Sequence, residues 1–325
     1  MALTAEEQFM LELVNRARLD PAGEAARFGI NLNEGLAPGT ITADAKQVLA
    51  PNDLLHIASS DHSLWMLATD TFSHTGAGGS SPGQRMTAAG YTFSGASSWG
   101  ENIAWTGTTG SLNAESAIAS QHRGLFLSSG HRSNILNDYF REVGIAQELG
   151  GFTTGGQTYS ASMVTQDFAR TASSVFLTGV AYADADADGF YSVGEGMGGV
   201  TFAISGGSTQ AAAAGGYVLG TDPTPAVSVT VTATGTAASV VEVDLSGGNV
   251  KLDLVNGNLL RTSGDLRLVS GVTNAELLGI GNLDLTGNGA ANALTGNAGN
   301  NTLSGWAGED SILGGAGFDT VLGGA

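Results

Sequence analysis

Residues 184–195 read Asp-Ala-Asp-Ala-Asp-Gly-Phe-Tyr-Ser-Val-Gly-Glu and satisfy every constrained position of the twelve-residue calcium loop D-x-D-x-D-G-x5-E. Asp184, Asp186 and Asp188 with a bidentate Glu195 can surround a hard cation. The Phe190 carbonyl serves the seventh position, and Gly189 permits the sharp turn. An acidic surface turn would use the same residue types but would not fix so many positions. The runs 175–182 and 199–204 on either side alternate as strands do, so the loop is expected to join two strands rather than two helices. All five histidines, at 56, 62, 74, 122 and 131, precede this loop, and a Gly-, Asn- and Asp-rich repeat follows it. Imidazole chemistry and calcium chemistry are therefore segregated along the chain.

The repeat has a period of nine. Gly287, Gly296, Gly305 and Gly314 open units whose sixth residues are Asn292, Asn301, Asp310 and Asp319 and whose eighth are Leu294, Leu303, Ile312 and Val321. This is the pattern G-G-x-G-x-D-x-U-x, and 314–322 matches it fully. The tail resembles RTX repeats, which implies a parallel β-roll over 286–325 with calcium held in its turns by Asp310 and Asp319, and more weakly by Asn292 and Asn301. The first units, with Asn for Asp and Ala290 for Gly, are expected to form a metal-poor cap. Units on one side of a roll are two repeats apart, pairing Asn292 with Asp310 and Asn301 with Asp319. The chain stops at residues 323–325 inside a fifth unit, which leads us to expect a truncated array.

Composition narrows the function classes. The net charge is −18, with 9 basic and 16 acidic side chains in residues 1–170 and 3 and 14 in the remainder. Such a surface disfavours nucleic acid and suits divalent cations. There is no cysteine, hence no disulfide, thiolate nucleophile or Cys-ligated zinc. No run of 18 apolar residues offers a transmembrane segment, and the amino end lacks the basic and apolar regions of a cleaved signal peptide.

The elements that must position the histidines are legible in outline. Thr4-Ala-Glu-Glu7 is a capping box opening a helix that is expected to stop at Asp20-Pro21. Asn52 can cap a second helix, with an apolar stripe at Leu54, Leu55, Ala58, Trp65 and Met66. Pro82 suits the first turn of a short helix ending by Gly90, and another helix is expected over 114–127. Residues 142–148 and 157–168 then alternate around a Gly-rich turn and read as an antiparallel hairpin. Helices followed by paired strands make an α+β domain.

Residues 15–18 (Asn-Arg-Ala-Arg), 72–76 (Phe-Ser-His-Thr-Gly), 100–104 (Gly-Glu-Asn-Ile-Ala), 130–136 (Gly-His-Arg-Ser-Asn-Ile-Leu) and Thr165-Gln166 resemble the ordered motifs of the CAP superfamily, which includes plant pathogenesis-related proteins, venom allergens and cysteine-rich secretory proteins. The resemblance covers about half the chain and implies an α-β-α sandwich with an open cleft. His74 matches the family's first cleft histidine, Glu101 the glutamate of its Gly-Glu-Asn motif, and His131 the histidine of its bacterial branch. Met163 stands where eukaryotic members carry their second histidine, and His122 or Glu115 could complete a fourth position. Two His and a Glu could act as acid, base and orienting group, or hold zinc or another divalent metal with a position open for water. His56 and His62 read as structural residues of an amphipathic helix. Arg132 and Asn134 are expected to brace a short helix.

Residues 172–256, rich in Val, Thr, Gly and Ala, read as a small calcium-binding β-sandwich resembling the B-type modules of bacterial adhesins. The expected organisation is a CAP domain over 1–171, this sandwich over 172–256, a connector over 257–285 and the roll. A secreted protein is implied, exported by type I secretion without a cleaved amino-terminal signal. It would act in extracellular recognition or processing of an unidentified lipid, glycan or peptide. A hydrolase, a binding module and a non-catalytic adhesin are the open readings.

Overall fold

The computed structural model describes residues 2–171 and 174–324. They divide into two compact units, one built from residues 3–43 and 49–171, the other from 44–48 and 174–324.

In the first unit the helices are α1 (Ala5–Leu19), α2 (Pro21–Arg27), α3 (Asp53–Ala68), α4 (Pro82–Ala88), α5 (Ala114–Leu127) and α6 (Ser129–Ile135). The strands β1 (Ala50–Pro51), β2 (Ser98–Thr108), β3 (Glu142–Thr154) and β4 (Gln157–Arg170) form one sheet in the order β1-β3-β4-β2, antiparallel except for β1 with β3. Thr4 caps α1 by the expected reciprocal bonds with Glu7. The stop at Asp20-Pro21 is also a start. Asp20 accepts from the Gly23 N–H at 2.8 Å and Pro21 fills the first position, where no N–H is needed, so α2 follows at once.

Strand β4 shows how the sheet divides the unit. Val164 and Phe168 face α1 and α5, in a core with Met10, Val14, Ile118 and Phe126. Met163, Thr165, Asp167 and Ala169 face α3, where Ser63 bonds Thr165 and Ser59 bonds Asp167. The result is three layers, α-β-α. Helix α3 lies so close to β3 that a Cβ on Gly144 would stand 2.1 Å from the Leu55 carbonyl carbon, and only glycine fits there.

The second unit contains β5 (Val175–Tyr182), β6 (Thr201–Ile204), β7 (Gly207–Gln210), β8 (Gly216–Thr221), β9 (Val227–Thr232), β10 (Ser239–Val243), β11 (Val250–Val255), β12 (Leu259–Thr262), β13 (Leu266–Ser270), β14 (Asn274–Leu277), β15 (Asp284–Thr286), β16 (Ala293–Thr295), β17 (Thr302–Ser304), β18 (Ser311–Leu313) and β19 (Thr320–Leu322). They form two sheets, β19-β17-β15-β13-β10-β9-β6-β7 and β18-β16-β14-β12-β11-β5-β8. From β12 onward, strands two apart pair in parallel. Leu285, Leu303 and Val321 stand in one register row and Leu294 with Ile312 in another, eighteen residues apart as the spacing predicts. The tail is thus a parallel β-solenoid of the roll type.

The stretch expected as a connector, 257–285, is itself paired. It carries β12, β13, β14 and most of β15, and neither sheet breaks at 256 or 285. One core explains the continuity, because Val229, Val241, Leu252, Leu260, Leu268, Leu277, Leu285, Leu294 and Leu303 are buried in a single cluster. Among the described residues no helix is long and apolar enough to cross a membrane.

Candidate functional site

Glu101 is the hub of the cleft in the first unit. It projects from β2 toward the α3 side, with its side chain almost wholly buried. Its Oε1 lies 2.7 Å from His74 Nδ1, and its Oε2 accepts from the Arg85 guanidinium of α4. Arg85 also donates to the His74 and Ser80 carbonyls, which ties the loop after α3 to α4. The His74 side chain is 52% exposed, and its ring centroid stands 6.4 Å from that of half-buried His131 on α6. Burial, and then the neighbouring His74, push the His131 pKa below the usual imidazole value. His74, Glu101 and His131 therefore lie together.

Side-chain amides hold α6, and with it His131, against the sheet. Asn134 donates to the Glu101 carbonyl and to Asn102 Oδ1, and Asn102 donates to the His131 carbonyl and to Gln166. Buried Arg132 points away from the cleft and donates to the Leu32, Glu34, Phe126 and Leu127 carbonyls, so it braces the helix from behind.

Two further residues belong to this cluster: His62, expected as a structural residue of its helix, and Asp167, which no motif marks. His62 of α3 is buried, stacks on Trp65 with ring planes 10° apart, donates Nε2–H to the Ser73 carbonyl and has that nitrogen 3.9 Å from Glu101 Oε2. Burial lowers its pKa. Asp167 of β4 is the cross-strand partner of Glu101. It accepts from Ser59 with Oδ2, while its buried Oδ1 has no partner. Burial first, and Glu101 second, raise its pKa well above the carboxylate range. His62 and Arg85 also border a cavity of about 460 Å³ between α3 and α4, whose wall is mostly apolar through Ile57, Ala58, Trp65 and Ala88.

His122 is not in the cleft. It sits on α5, across the sheet, with Nε2 2.9 Å from Glu24 Oε1 and its ring among Phe28 and Phe126. Burial would raise the Glu24 pKa, but the bonds from His122 and Arg16 bring it down to about 2, while burial pushes His122 down. Those two shifts demand opposite things of the imidazole. With Arg16 supplying the cation, we assign a neutral His122 donating Nε2–H to an ionised Glu24. Glu115 stands exposed in the first turn of α5, and among the described residues no bond joins it to His74, Glu101 or His131. Met163 fills a wholly buried position beside Met66 and Ile103.

The cleft does not fit zinc as it stands. A catalytic zinc takes three protein ligands, whereas Glu101 commits one oxygen to His74 and the other to Arg85, and among the described residues no three His, Asp or Glu ligand atoms of the cleft gather around one point. Among the described residues the group spaced for a metal is Asp184, Asp186 and Asp188, whose carboxylate oxygens lie within 4.8 Å of one another. Gly189 N–H donates to Asp184, and the Phe190 N–H to Asp188, closing the turn. Glu195 instead accepts the N–H groups of Ala185 and Ser192 at 2.7 and 2.8 Å, which shapes the loop from its far end. Arg261 of β12 donates to the Gly189 carbonyl and to Tyr182 Oη, and pairs with Glu276 of β14.

In the roll, Asp310 Oδ1 accepts the Asn292 N–H and Asp319 Oδ1 the Asn301 N–H, both at 2.9 Å, in the pairs that the spacing predicts. The other oxygen of Asp310 is buried and unpartnered.

Known proteins match both units. Residues 11–168 match the CAP, or cysteine-rich secretory protein, family, and residues 286–321 match four copies of the RTX calcium-binding nonapeptide repeat. No curated protein matches the chain. Among solved structures, an extracellular protein containing a SCP domain from Bacillus anthracis is 25% identical with a TM-score of 0.29, over 39% of this chain and 35% of that one. NaASP2 with Zn2+ is 14% identical with a TM-score of 0.32, over 51% and 80%. An outer surface protein from Borrelia burgdorferi is 15% identical with a TM-score of 0.28, over 38% and 78%. Residues 11–168 are a CAP domain and residues 286–321 are RTX calcium-binding repeats, a pairing that fits a calcium-binding extracellular protein.

Proposed function

We propose that the CAP unit is a recognition module whose cleft takes an amphipathic molecule of the cell exterior. A polar group would meet His74 and His131, and an apolar portion would lie in the cavity bordered by His62 and Arg85. The observation that carries this reading is the largely apolar cavity of about 460 Å³ that shares His62 and Arg85 with the Glu101 cluster. Pockets that take small molecules have this character, apolar walls with a few convergent polar groups. Isothermal titration with lipid vesicles, glycans and peptides tests it. Trp65→Ala and His74→Ala should each weaken binding of the active class by about tenfold or more, roughly 1.4 kcal/mol. Full affinity in Trp65→Ala would remove the cavity as the seat of the ligand.

Processing is the second reading, and one feature favours it. Glu101 occupies His74 Nδ1 and so fixes a tautomer whose Nε2 is free to accept a proton, the arrangement of an oriented general base. Turnover in a substrate screen that disappears in His74→Ala would select this reading over simple binding.

In the second unit, the loop of Asp184, Asp186, Asp188, the Phe190 carbonyl and Glu195 is proposed to hold calcium, as are Asp310 and Asp319. Extracellular calcium sites bind with Kd of about 10⁻⁴ to 10⁻³ M, so they fill outside the cell rather than within. Calcium completing the fold after export suits a type I route. A calcium titration of the full chain followed by circular dichroism tests this part, and an unchanged spectrum would sink it.

A further inference from the structure

We infer that the side-chain amides of Asn292 and Asn301 occupy the place of calcium in the first two units of the roll, so that this part of the array folds without the ion. The inference rests on the reading that RTX turns bind calcium and concerns which turns do so.

The two units have the same internal network. Asn292 Oδ1 accepts the Asn288 N–H at 2.8 Å, and Asn301 Oδ1 accepts the Asn297 N–H at 2.9 Å. A backbone N–H can only donate, so the remaining atom of each amide must be the NH2 group. In the first unit that nitrogen lies 3.2 Å from Asn288 Oδ1 and 3.3 Å from the Thr273 carbonyl. In the second it lies 3.0 Å from Asn297 Oδ1 and 3.4 Å from the Gly281 carbonyl. Asn288 and Asn297 are fixed in turn, accepting from Ala290 and Gly299 and donating to the Val272 and Leu278 carbonyls. All four asparagines are at least nine-tenths buried.

The chemistry of this arrangement is that of a small cation among oxygens. Each NH2 group offers two hydrogens to two acceptors, one from its own unit and one from the preceding chain. An aspartate in its place would set a third oxygen against those two, and only a bound cation or a proton would reconcile them. The third and fourth units are built differently. They have Asp310 and Asp319 at the sixth position and no asparagine at the second, where Trp306 and Gly315 adopt left-handed φ of 76° and 94°. Asp310 leaves its second oxygen buried without a donor. The neutral turns meet the anionic ones directly, through the N–H groups of Asn292 and Asn301 on Asp310 and Asp319. The asparagine units thus form a permanent template on which the calcium-requiring units are laid.

Hydrogen–deuterium exchange of the full chain, in chelator and in millimolar calcium chloride, tests this. Amides of 287–304 should be protected in chelator and change little on adding calcium, while those of 306–322 should gain protection. Protection of 287–304 that appears only with calcium, or in neither condition, overturns the inference. Protected 287–304 with no calcium response at 306–322 would leave it standing and defeat the calcium reading of the later units. In the double variant Asn292→Asp, Asn301→Asp, protection of 287–304 should fall about tenfold or more in chelator and return with calcium. Undiminished protection in chelator would overturn the inference. Should the variant fail to fold in both conditions, the wild-type comparison alone decides.

Discussion

Glu101 and Asp167 face the same side of the sheet as cross-strand partners, yet Glu101 is bonded at both oxygens and Asp167 keeps one buried oxygen without a donor. The Arg85 guanidinium goes to Glu101. Asp167 therefore holds its proton far above the pH at which an exposed aspartate loses it.

That asymmetry sets the sign of a stability change. A carboxyl whose folded pKa is raised contributes stability below its unfolded value, near pH 4, and loses it as pH climbs through the folded value. Asp167→Asn keeps an acceptor for Ser59 and replaces the titrating group. It should raise the thermal midpoint at pH 7.5, by about 1 kcal/mol or more in stability, and do less at pH 4. A lower midpoint at pH 7.5 by calorimetry would contradict this protonation state.

The histidines work in the opposite sense. Burial depresses the pKa of His62, His122 and His131 in the folded chain. Their contribution is present above the unfolded value of about 6.5 and is lost as pH falls through the folded values. The urea midpoint of the CAP unit's transition should drop between pH 7 and pH 5. The double variant His62→Gln, His122→Gln should flatten that slope, and an unaltered slope would exclude these residues as its source.

Gly144→Ala should be among the most damaging single-methyl additions to the protein. The new Cβ would meet backbone atoms of Leu55 and His56 at 2.1 to 2.4 Å, so α3 would have to move as a whole. With it would go the His56 bond to Ile145, the Ser59 bond to Asp167 and the position of His62. A loss of about 3 kcal/mol or more is expected from such overpacking, read as a fall in thermal midpoint or in soluble yield. A midpoint within a degree of wild type would refute the packing described for α3 on β3.

Glu195 shapes its loop by accepting two N–H groups, and the same carboxylate is the proposed bidentate ligand. Glu195→Ala should weaken calcium binding by at least about tenfold, roughly 1.4 kcal/mol. Equal affinity by calorimetry would take Glu195 out of the site.

Much of this was legible in the residues themselves, wherever the signal was local. The capping box at Thr4, the helix over 114–127, the hairpin around Gly155 and the nine-residue period all depend on neighbours a few positions apart. His62 reads from the sequence as a structural residue because its partner Glu101 is distant along the chain, and on the helix alone it is one more buried residue. Asp167 did carry a sign. It occupies an inward position of an alternating strand, where a carboxylate must have a reason to be. The strands of 257–285 were hidden because glycine and asparagine turns interrupt them every few residues, and because their rows pair Leu259 with Asn274 and Leu266 with Leu285, off the eighteen-residue row of the repeats that follow.

That eighteen-residue row has a consequence for heredity. Alternate units go to opposite sheets, so nine residues are half a step and eighteen a whole one. Excising residues 296–304 would send both later units to the other sheet, with the third unit's strand beside β15 in place of β17 and the Asn292 to Asp310 contact broken. Excising or inserting eighteen residues returns every later unit to its own sheet. Where successive units are unlike, as Asn and Asp units are here, an array of this kind can change length without changing its pairing only by whole pairs of repeats.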